Sequence, residues 1–443
     1  MKVLAVGGGA REHAIVKSLV KDGAKVFTVM KNKNPGIARA SEDILLADEM
    51  DVEKVAEWGK SKGVDFAVVG PEAPLGEGTV DELAVHEIPA VGPTRFAAQL
   101  EISKEFCRNL MRDHKIPGSI DYWVFDNVPD LRDLLKDYDK DVVVKPIGLT
   151  GGKGVKVMGE HLMTHQDVID YAEEIIEKKI GGSSRFVVEE KVVGEEFTLQ
   201  AFADGRRVVP MPSVMDHKRA YEGDTGPNTG GMGSYSMKNG LPQFATFGEI
   251  EEAVDIMQKT VNAMRATEHP FHGILYGGFM LTREGPKILE YNVRFGDPEA
   301  MNVLPLLEEN FVDLCGEIMD SSLPSAVKFA ERATVCKYVT PVGYGVKSHA
   351  GEKVFVDEAG ISETGAELFY ASVDERDNDI YTTTSRSLAV VGIDEDIAEA
   401  ERMSESALHH VSGKVFMRHD IGKREPIEKR IRRMEAIRRG EIG

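Results

Sequence analysis

Short apolar runs alternate with amphipathic stretches through the first hundred residues. KVLAV (2–6), KVFTV (25–29), DILLA (43–47) and VDFAVV (64–69) are compact apolar runs of strand length. Between them, residues 11–22 put Ile15, Val16, Leu19 and Val20 on one helical face. Further helices are expected near 51–62 and 79–87, the last leading into PAVG. This alternation predicts a doubly wound α/β unit, with helices on both faces of a parallel sheet. Ligands bind at the carboxyl ends of such strands. That places Gly7–Gly9 and the Gly70-Pro71-Glu72 turn at the mouth of a site.

From about residue 104 the rhythm changes. FVVEE (186–190) and EFTLQAFA (196–203) read as strands, and Asp204-Gly205 suggests a hairpin turn into RRVVPM. GILYGGFMLT, the turn REGP and KILEYNV make a second hairpin. Antiparallel hairpins after a doubly wound unit predict a second domain of α+β type. Beyond about 333 a β-rich stretch runs from ATVCKYVTP to SRSLAVVGI, followed by helices. The expected divisions are 1–103, 104–332 and 333–443. Length supports this, since 443 residues suit two or three domains.

Charge narrows the function. A net charge of −20 argues against a general nucleic-acid binder. It leaves small anionic substrates open, because those need only local positive groups. No apolar run reaches the ~18–20 residues of a membrane helix, and the N-terminal apolar stretch is too short for a signal peptide. A cytoplasmic protein, monomeric or a small homo-oligomer, is expected. Cys107, Cys315 and Cys336 are widely spaced and fit no disulfide or zinc framework, so they read as reduced and structural. Against the acidic trend, KREPIEKRIRRMEAIRRGEIG spaces Ile427, Ile431 and Met434 as one face of a helix. A packed terminal helix with a solvated basic face is expected there.

Four stretches carry candidate chemistry. VGGGAREH (6–13) places a glycine turn between strand and helix, but Glu12 stands where a dinucleotide fingerprint has its third glycine. Gly7, Gly9 and Arg11 could still hold a phosphate at the helix N-terminus, or the turn could be plain. In VVVKPIGLTGGKGVKV (142–157), Lys145 ends a strand, and Gly148, Gly151, Gly152 and Gly154 surround Lys153. No Ser or Thr follows that lysine, so this is not a P-loop. It can fold over phosphates as a flap, or be an exposed hairpin tip. In KILEYNVRFGDPE (287–299), strand alternation puts Leu289, Tyr291 and Val293 on one face and Glu290, Asn292 and Arg294 on the other. A carboxylate and an amide oxygen suit Mg²⁺ that completes its shell with phosphates. The alternative is a half-exposed polar strand. DHKRAYEGDTGPNTGGMGSYS (216–236) can place backbone donors around an anion, or be a linker. Together the four describe a site for anionic reactants, such as ATP-driven joining of a carboxylate to an amine.

On VGGGAREHA, VVGPEAPL, GPT (92–94), SKEFC, GGKGV, DHKRAYEGDTGPNTGGMGSYS and LEYNVRFGDPE, the chain resembles the phosphoribosylamine–glycine ligases of the ATP-grasp superfamily. The resemblance implies a substrate-binding N-terminal domain, an ATP-grasp domain with its lid at about 120–190, and a small β-rich C-terminal domain. It implies that ATP, glycine and 5-phosphoribosylamine react through glycyl phosphate, with Mg²⁺ or Mn²⁺. Lys104 and Lys145 would contact ATP phosphates. Gly151, Gly152, Lys153 and Gly154 would form the flap. Glu190 to Val193 would hold adenine and Glu196 the ribose, although Glu189, Glu190, Glu195 and Glu196 are near-equivalent by spacing. Glu290 and Asn292 would bind metal, and Arg294 would sit at the transferred phosphoryl. Gly9, Arg11 and Glu72 would help hold phosphoribosylamine. Asp216, Lys218, Thr229, Gly230 and Gly231 would line the substrate side. Pro146-Ile147 departs from the family pattern, which has an acidic residue before the flap. Rival readings are a different ATP-grasp ligase, a silent nucleotide sensor and a Rossmann oxidoreductase.

Overall fold

The computed structural model describes residues 1–150 and 154–442. Five parallel strands open the chain, ordered Asp43–Leu46, Lys25–Met30, Lys2–Val6, Phe66–Val69 and Ala90–Val91. Val3, Leu4, Val6 and Val26 are fully buried, because helices cover both faces of the sheet. Strand order reverses between Lys2–Val6 and Phe66–Val69. A crevice opens at such a reversal, and Gly7 and Gly70 follow those two strands directly.

The central sheet is antiparallel, ordered Val208–Pro210, Glu195–Asp204, His272–Thr282 and Gly285–Asn292. The helix Phe247–Ala266 backs it. Thr246 and Glu249 start that helix with a reciprocal capping box, and Ile256, Met257, Val261 and Met264 are its buried face. A separate sheet, ordered Tyr122–Phe125, Phe186–Glu190, Val142–Pro146 and Lys156–Val157, carries the helices Val128–Asp137 and His165–Lys178. It has its own core, including Leu131, Val144, Val168, Ile175 and Val188.

The C-terminal sheet runs Met215–Asp216, Gly233–Ser236, Ala333–Pro341, Leu388–Asp394 and Glu367–Tyr370. Its first two strands flank the glycine-rich stretch, so the sheet joins residues on both sides of position 333. The three cysteines are buried and unpaired. Among the described residues, no helix is long and apolar enough to cross a membrane.

Candidate active site

The hairpin of His272–Thr282 and Gly285–Asn292 sets the site's centre. Glu290 pairs with Gly278, and Ile288 with Phe279, so Leu289 is an unpaired bulge residue. The alternation expected over 289–294 therefore fails at Leu289 and holds from Glu290 onward. Tyr291 and Val293 are buried as expected, but Ile288 takes the core position and Leu289 is only half-buried. The strand ends at Asn292, so Arg294 lies just beyond it. The bulge turns the Leu289 carbonyl outward, where it accepts from Arg108 Nη2 (3.0 Å) and Lys145 Nζ (3.2 Å).

Lys145 also pairs with Glu189 at 2.6 Å, and Glu189 with Arg108 at 2.7 Å. Burial alone would raise the Glu189 carboxyl, but Arg108 and Lys145 hold it at about 2. Lys104 Nζ donates to the Gly148 carbonyl (3.0 Å) at the base of the glycine loop. Burial lowers its ammonium below the usual lysine range. Gly151, Gly152 and Lys153 lie outside the described residues. Gly154 N–H donates to Thr150 Oγ1 at 3.2 Å.

Burial opposes ionisation of Glu290. The charges of Lys218, Lys145, Lys104 and Arg294 outweigh it and hold the carboxyl below its ordinary range. Asn292 Oδ1 lies 3.4 Å from Arg294 Nη2. Gly278, across the hairpin, adds no donor. Among the described residues, no three His, Cys, Asp or Glu side chains group as a metal cage. One carboxylate and one amide oxygen fit a hard divalent ion that takes the rest of its shell from phosphate oxygens.

Arg294 links this centre to the N-terminal domain. It pairs with Glu72 (3.1 Å) and Glu101 (2.9 Å). Arg11 sits 3.8 Å from Glu72 and donates to the Phe295 carbonyl at 3.2 Å. Arg294 is the main cause that lowers Glu72 to about 2. Burial pushes Glu101 up to about 7, against the pull of Arg294. Glu12 explains its own departure from the dinucleotide pattern. Its Oε2 accepts from Gly9 N–H (2.8 Å) and its Oε1 from Arg11 Nε (2.6 Å). A carboxylate of the protein thus occupies the helix N-terminus that a pyrophosphate would use. The expected Gly9 donor is engaged inside the protein.

The four glutamates of near-equal spacing separate clearly. Glu189 is buried in its ion pairs, and Glu195 is buried against Arg433 (3.0 Å). Glu190 is half-buried and accepts from Asp121 N–H at 3.3 Å. Glu196 is exposed and pairs with Lys218 at 3.3 Å. Val193 packs against the main core from a half-buried position.

On the face that Glu290 and Asn292 share, where Tyr276 pairs with Asn292 and Thr198 with Gly278, Glu196, Thr198, Asp216, Lys218 and Tyr276 line a cavity of about 10 Å³. Asp216 Oδ1 is buried without a hydrogen-bond partner among the described residues. Burial, with Glu299 nearby, raises its carboxyl well above the ordinary range. The glycine turn beside it is internally satisfied. Thr229 Oγ1 donates to the Lys218 carbonyl (2.8 Å) and accepts from Gly231 N–H (3.1 Å), while Gly230 N–H donates to Tyr344 Oη (3.3 Å). Sequence reading missed Glu101, Arg108, Glu299 and Arg386. Glu299 accepts from Tyr276 Oη (3.0 Å) and Thr198 Oγ1 (3.3 Å). Arg386 donates to the carbonyls of Gly230 (2.7 Å) and Asp297 (2.8 Å). Glu299 alone had a local signal, as the last residue of the NVRFGDPE run.

Residues 1–101, 102–300 and 334–424 match the N, ATP-grasp (A) and C domain models of phosphoribosylglycinamide synthetase. The phosphoribosylamine–glycine ligase of Methanothermobacter thermautotrophicus is 53% identical over 438 residues, covering 99% of this chain and 100% of that one. The Pyrococcus furiosus ligase is 50% identical over 439 residues, covering 99% and 98%. The crystal structure of the Thermotoga maritima phosphoribosylamine–glycine ligase superposes with a TM-score of 0.80 at 29% identity, covering 95% of this chain and 100% of that one. The three matched domain models and these full-length similarities, on a chain whose bulged hairpin is ringed by lysines, lead to one assignment: the chain belongs to the phosphoribosylamine–glycine ligase (phosphoribosylglycinamide synthetase) family of ATP-grasp enzymes.

Proposed function

We infer that the cleft between lid, central hairpin and N-terminal sheet performs the family's ligation, with the individual roles assigned below. The chain is an ATP-dependent carbon–nitrogen ligase of purine biosynthesis. It joins glycine to 5-phosphoribosylamine, giving glycinamide ribonucleotide, ADP and phosphate, and it uses Mg²⁺ or Mn²⁺. A glycine carboxylate oxygen attacks the γ-phosphorus and ADP leaves. The amine nitrogen of phosphoribosylamine then attacks the acyl carbon of glycyl phosphate. Phosphate leaves and the nitrogen gives up a proton.

The first step brings an anion to an anion, so its barrier falls only where positive charge is already in place. The observation that carries the reading is Glu290 beside Asn292, with Lys104, Lys145, Lys218 and Arg294 all acting on one carboxylate. A divalent ion held by Glu290 and Asn292 would supply Lewis-acid neutralisation of phosphate oxygens. Lys145, fixed by Glu189 and the Leu289 carbonyl, and Lys104 bind the phosphates. Closing the site over them would keep water from the acyl phosphate. Glu190 to Val193 form the adenine wall, and Glu196 takes the ribose hydroxyls. Arg294 meets the transferred phosphoryl. Arg11 and Glu72 form the phosphoribosylamine side, with the Gly9 turn as backbone wall, not as donor, since Glu12 takes its N–H; Thr229, Gly230 and Gly231 shape the other wall.

Asp216 receives the glycine ammonium. Its buried Oδ1 lacks a partner among the described residues, and the adjoining cavity has room for about one water-sized group. A larger amino acid would need space that Thr198 and Tyr276 already fill.

The test is ADP release by the purified protein with ATP, Mg²⁺ and phosphoribosylamine, with glycine or another amino acid. Release should require both phosphoribosylamine and glycine, and Glu290→Ala should lower turnover by about 10² or more while unfolding normally. Equal release with alanine would remove the glycine assignment. A near-normal rate in Glu290→Ala would remove the metal assignment.

A further inference from the structure

All but the first two residues of the basic terminal segment lie past the last residue matched by the family's C domain, 424. It forms the helix Arg424–Arg439 and does not project into solvent. Ile427, Met434 and Ile437 are buried in the core shared with the central sheet. Arg438 pairs with Glu249, the capping residue of Phe247–Ala266, at 2.8 Å. The expected solvated basic face is therefore only part of the picture.

Two arginines three positions apart share a helix face, and both reach the wall of the site. Arg433 Nη1 donates to the Gly194 carbonyl (2.9 Å) and to Glu195 Oε1 (3.0 Å). Arg430 Nη2 donates to the Asp216 carbonyl (3.2 Å). Its Nη1 is buried and lacks a hydrogen-bond partner among the described residues. Glu195 and Glu196 face this guanidinium from one strand, Asp224 from the neighbouring hairpin and Tyr235 from the adjacent strand. Arg430 is half-buried, and a buried guanidinium nitrogen left without a partner is costly as mere packing. Its one main-chain contact is to Met215–Asp216, a two-residue edge strand that otherwise pairs with Gly233–Ser236 and is flanked by the reciprocal Val214–Thr198 hydrogen bonds, so the guanidinium adds a side-chain tie at Asp216 itself.

We propose that the terminal helix is a positioning device for two binding elements. Arg430 fixes the strand that carries Asp216, and Arg433 fixes the Gly194-Glu195 segment that sets Glu196. Neither side chain touches a reactant. The proposal rests on the assignment of Asp216 to glycine and Glu196 to ribose. It gives the two arginines different kinetic signatures, because each holds a different substrate's contact.

The experiment is steady-state kinetics on the full chain with Arg430→Ala, Arg433→Ala, Arg430→Lys and Asp216→Ala, each with thermal unfolding. Arg430→Ala should raise KM for glycine about tenfold with KM for ATP little changed, the loss of one charged hydrogen bond being of that order. Arg433→Ala should raise KM for ATP instead, and Arg430→Lys should recover part of the glycine affinity. A helix that only stabilises the fold would lower the melting temperature and leave both KM values in place, which overturns the proposal. If Asp216→Ala weakens glycine binding and Arg430→Ala does not, the helix proposal alone falls. If neither does, the glycine assignment falls and takes the role of Arg430 with it. Should Arg430→Ala not fold, Arg430→Gln keeps the volume and carries the same test.

Discussion

Arg294 stands between two carboxylates and treats them differently. Glu72 is held ionised at about 2, with Arg294 the leading cause, whereas burial takes Glu101 to about 7. Glu101 also accepts from Val293 N–H at 2.8 Å, so it pins the main chain immediately before Arg294. Its folded value lies above its ordinary 4.5, so the folded state binds the proton more tightly than the unfolded chain. The stability it contributes is full below pH 4.5 and is lost as pH rises through about 7. Glu101→Gln should therefore flatten the fall in melting temperature across that window, measured by thermal unfolding at a series of pH values. A variant with the same slope as the parent would contradict this. Glu290, Asn292 and Arg294 were legible because they sit close together on one stretch. Glu101 was not, because its helix Gln99–Ile102 is remote in sequence and meets Arg294 only through the fold.

At the level of elements, the glycine-rich stretch is a structural joint before it is a binding loop. Arg219–Tyr221 and Thr225–Asn228 form a small hairpin. Gly233 then enters the C-terminal sheet with φ of +152°. A Cβ there would lie 2.2 Å from the Cys336 carbonyl oxygen of the paired strand. Gly233→Ala should cost about 3 kcal/mol, combining an unfavourable backbone with displacement of a neighbouring strand. Denaturant unfolding measures this, and a shift below half that size would show that the sheet can yield. The sequence pattern located the hairpins and the Asp204-Gly205 turn well, since turn residues and alternation are local. It did not disclose the bulge at Leu289, which arises from register against the neighbouring strand. That bulge offers Lys145 a carbonyl.

At the scale of the molecule, the C-terminal sheet is bound into the site. Arg418 is fully buried and ties Asp224 (2.9 Å), the Arg219 carbonyl (2.8 Å) and Asp420 together. Arg386 holds the carbonyls of Gly230 and Asp297 and pairs with the Asp297 carboxylate at 3.1 Å. Arg386→Ala would leave Asp297 without that partner and release the turn. About 3 kcal/mol of stability should be lost, as for other broken buried pairs. Turnover should fall with it. Calorimetry and rate measurements on the same sample check both, and unchanged turnover in a destabilised protein would confine Arg386 to a structural part.

By itself the sequence determined the alternation of the N-terminal unit, the two hairpins, the polar run of Glu290, Asn292 and Arg294, and the motifs that carry the family resemblance. These depend on neighbours within a few positions, where periodicity and turn chemistry act. Only the tertiary structure decided which of four similar glutamates are engaged in ion pairs. It also decided that Glu12 closes the first glycine turn, and that a terminal basic helix returns to the wall of the site. Each of those is a contact between charged groups brought together by packing. Their energies depend on burial and distance, and neither quantity is written in the local order of residues.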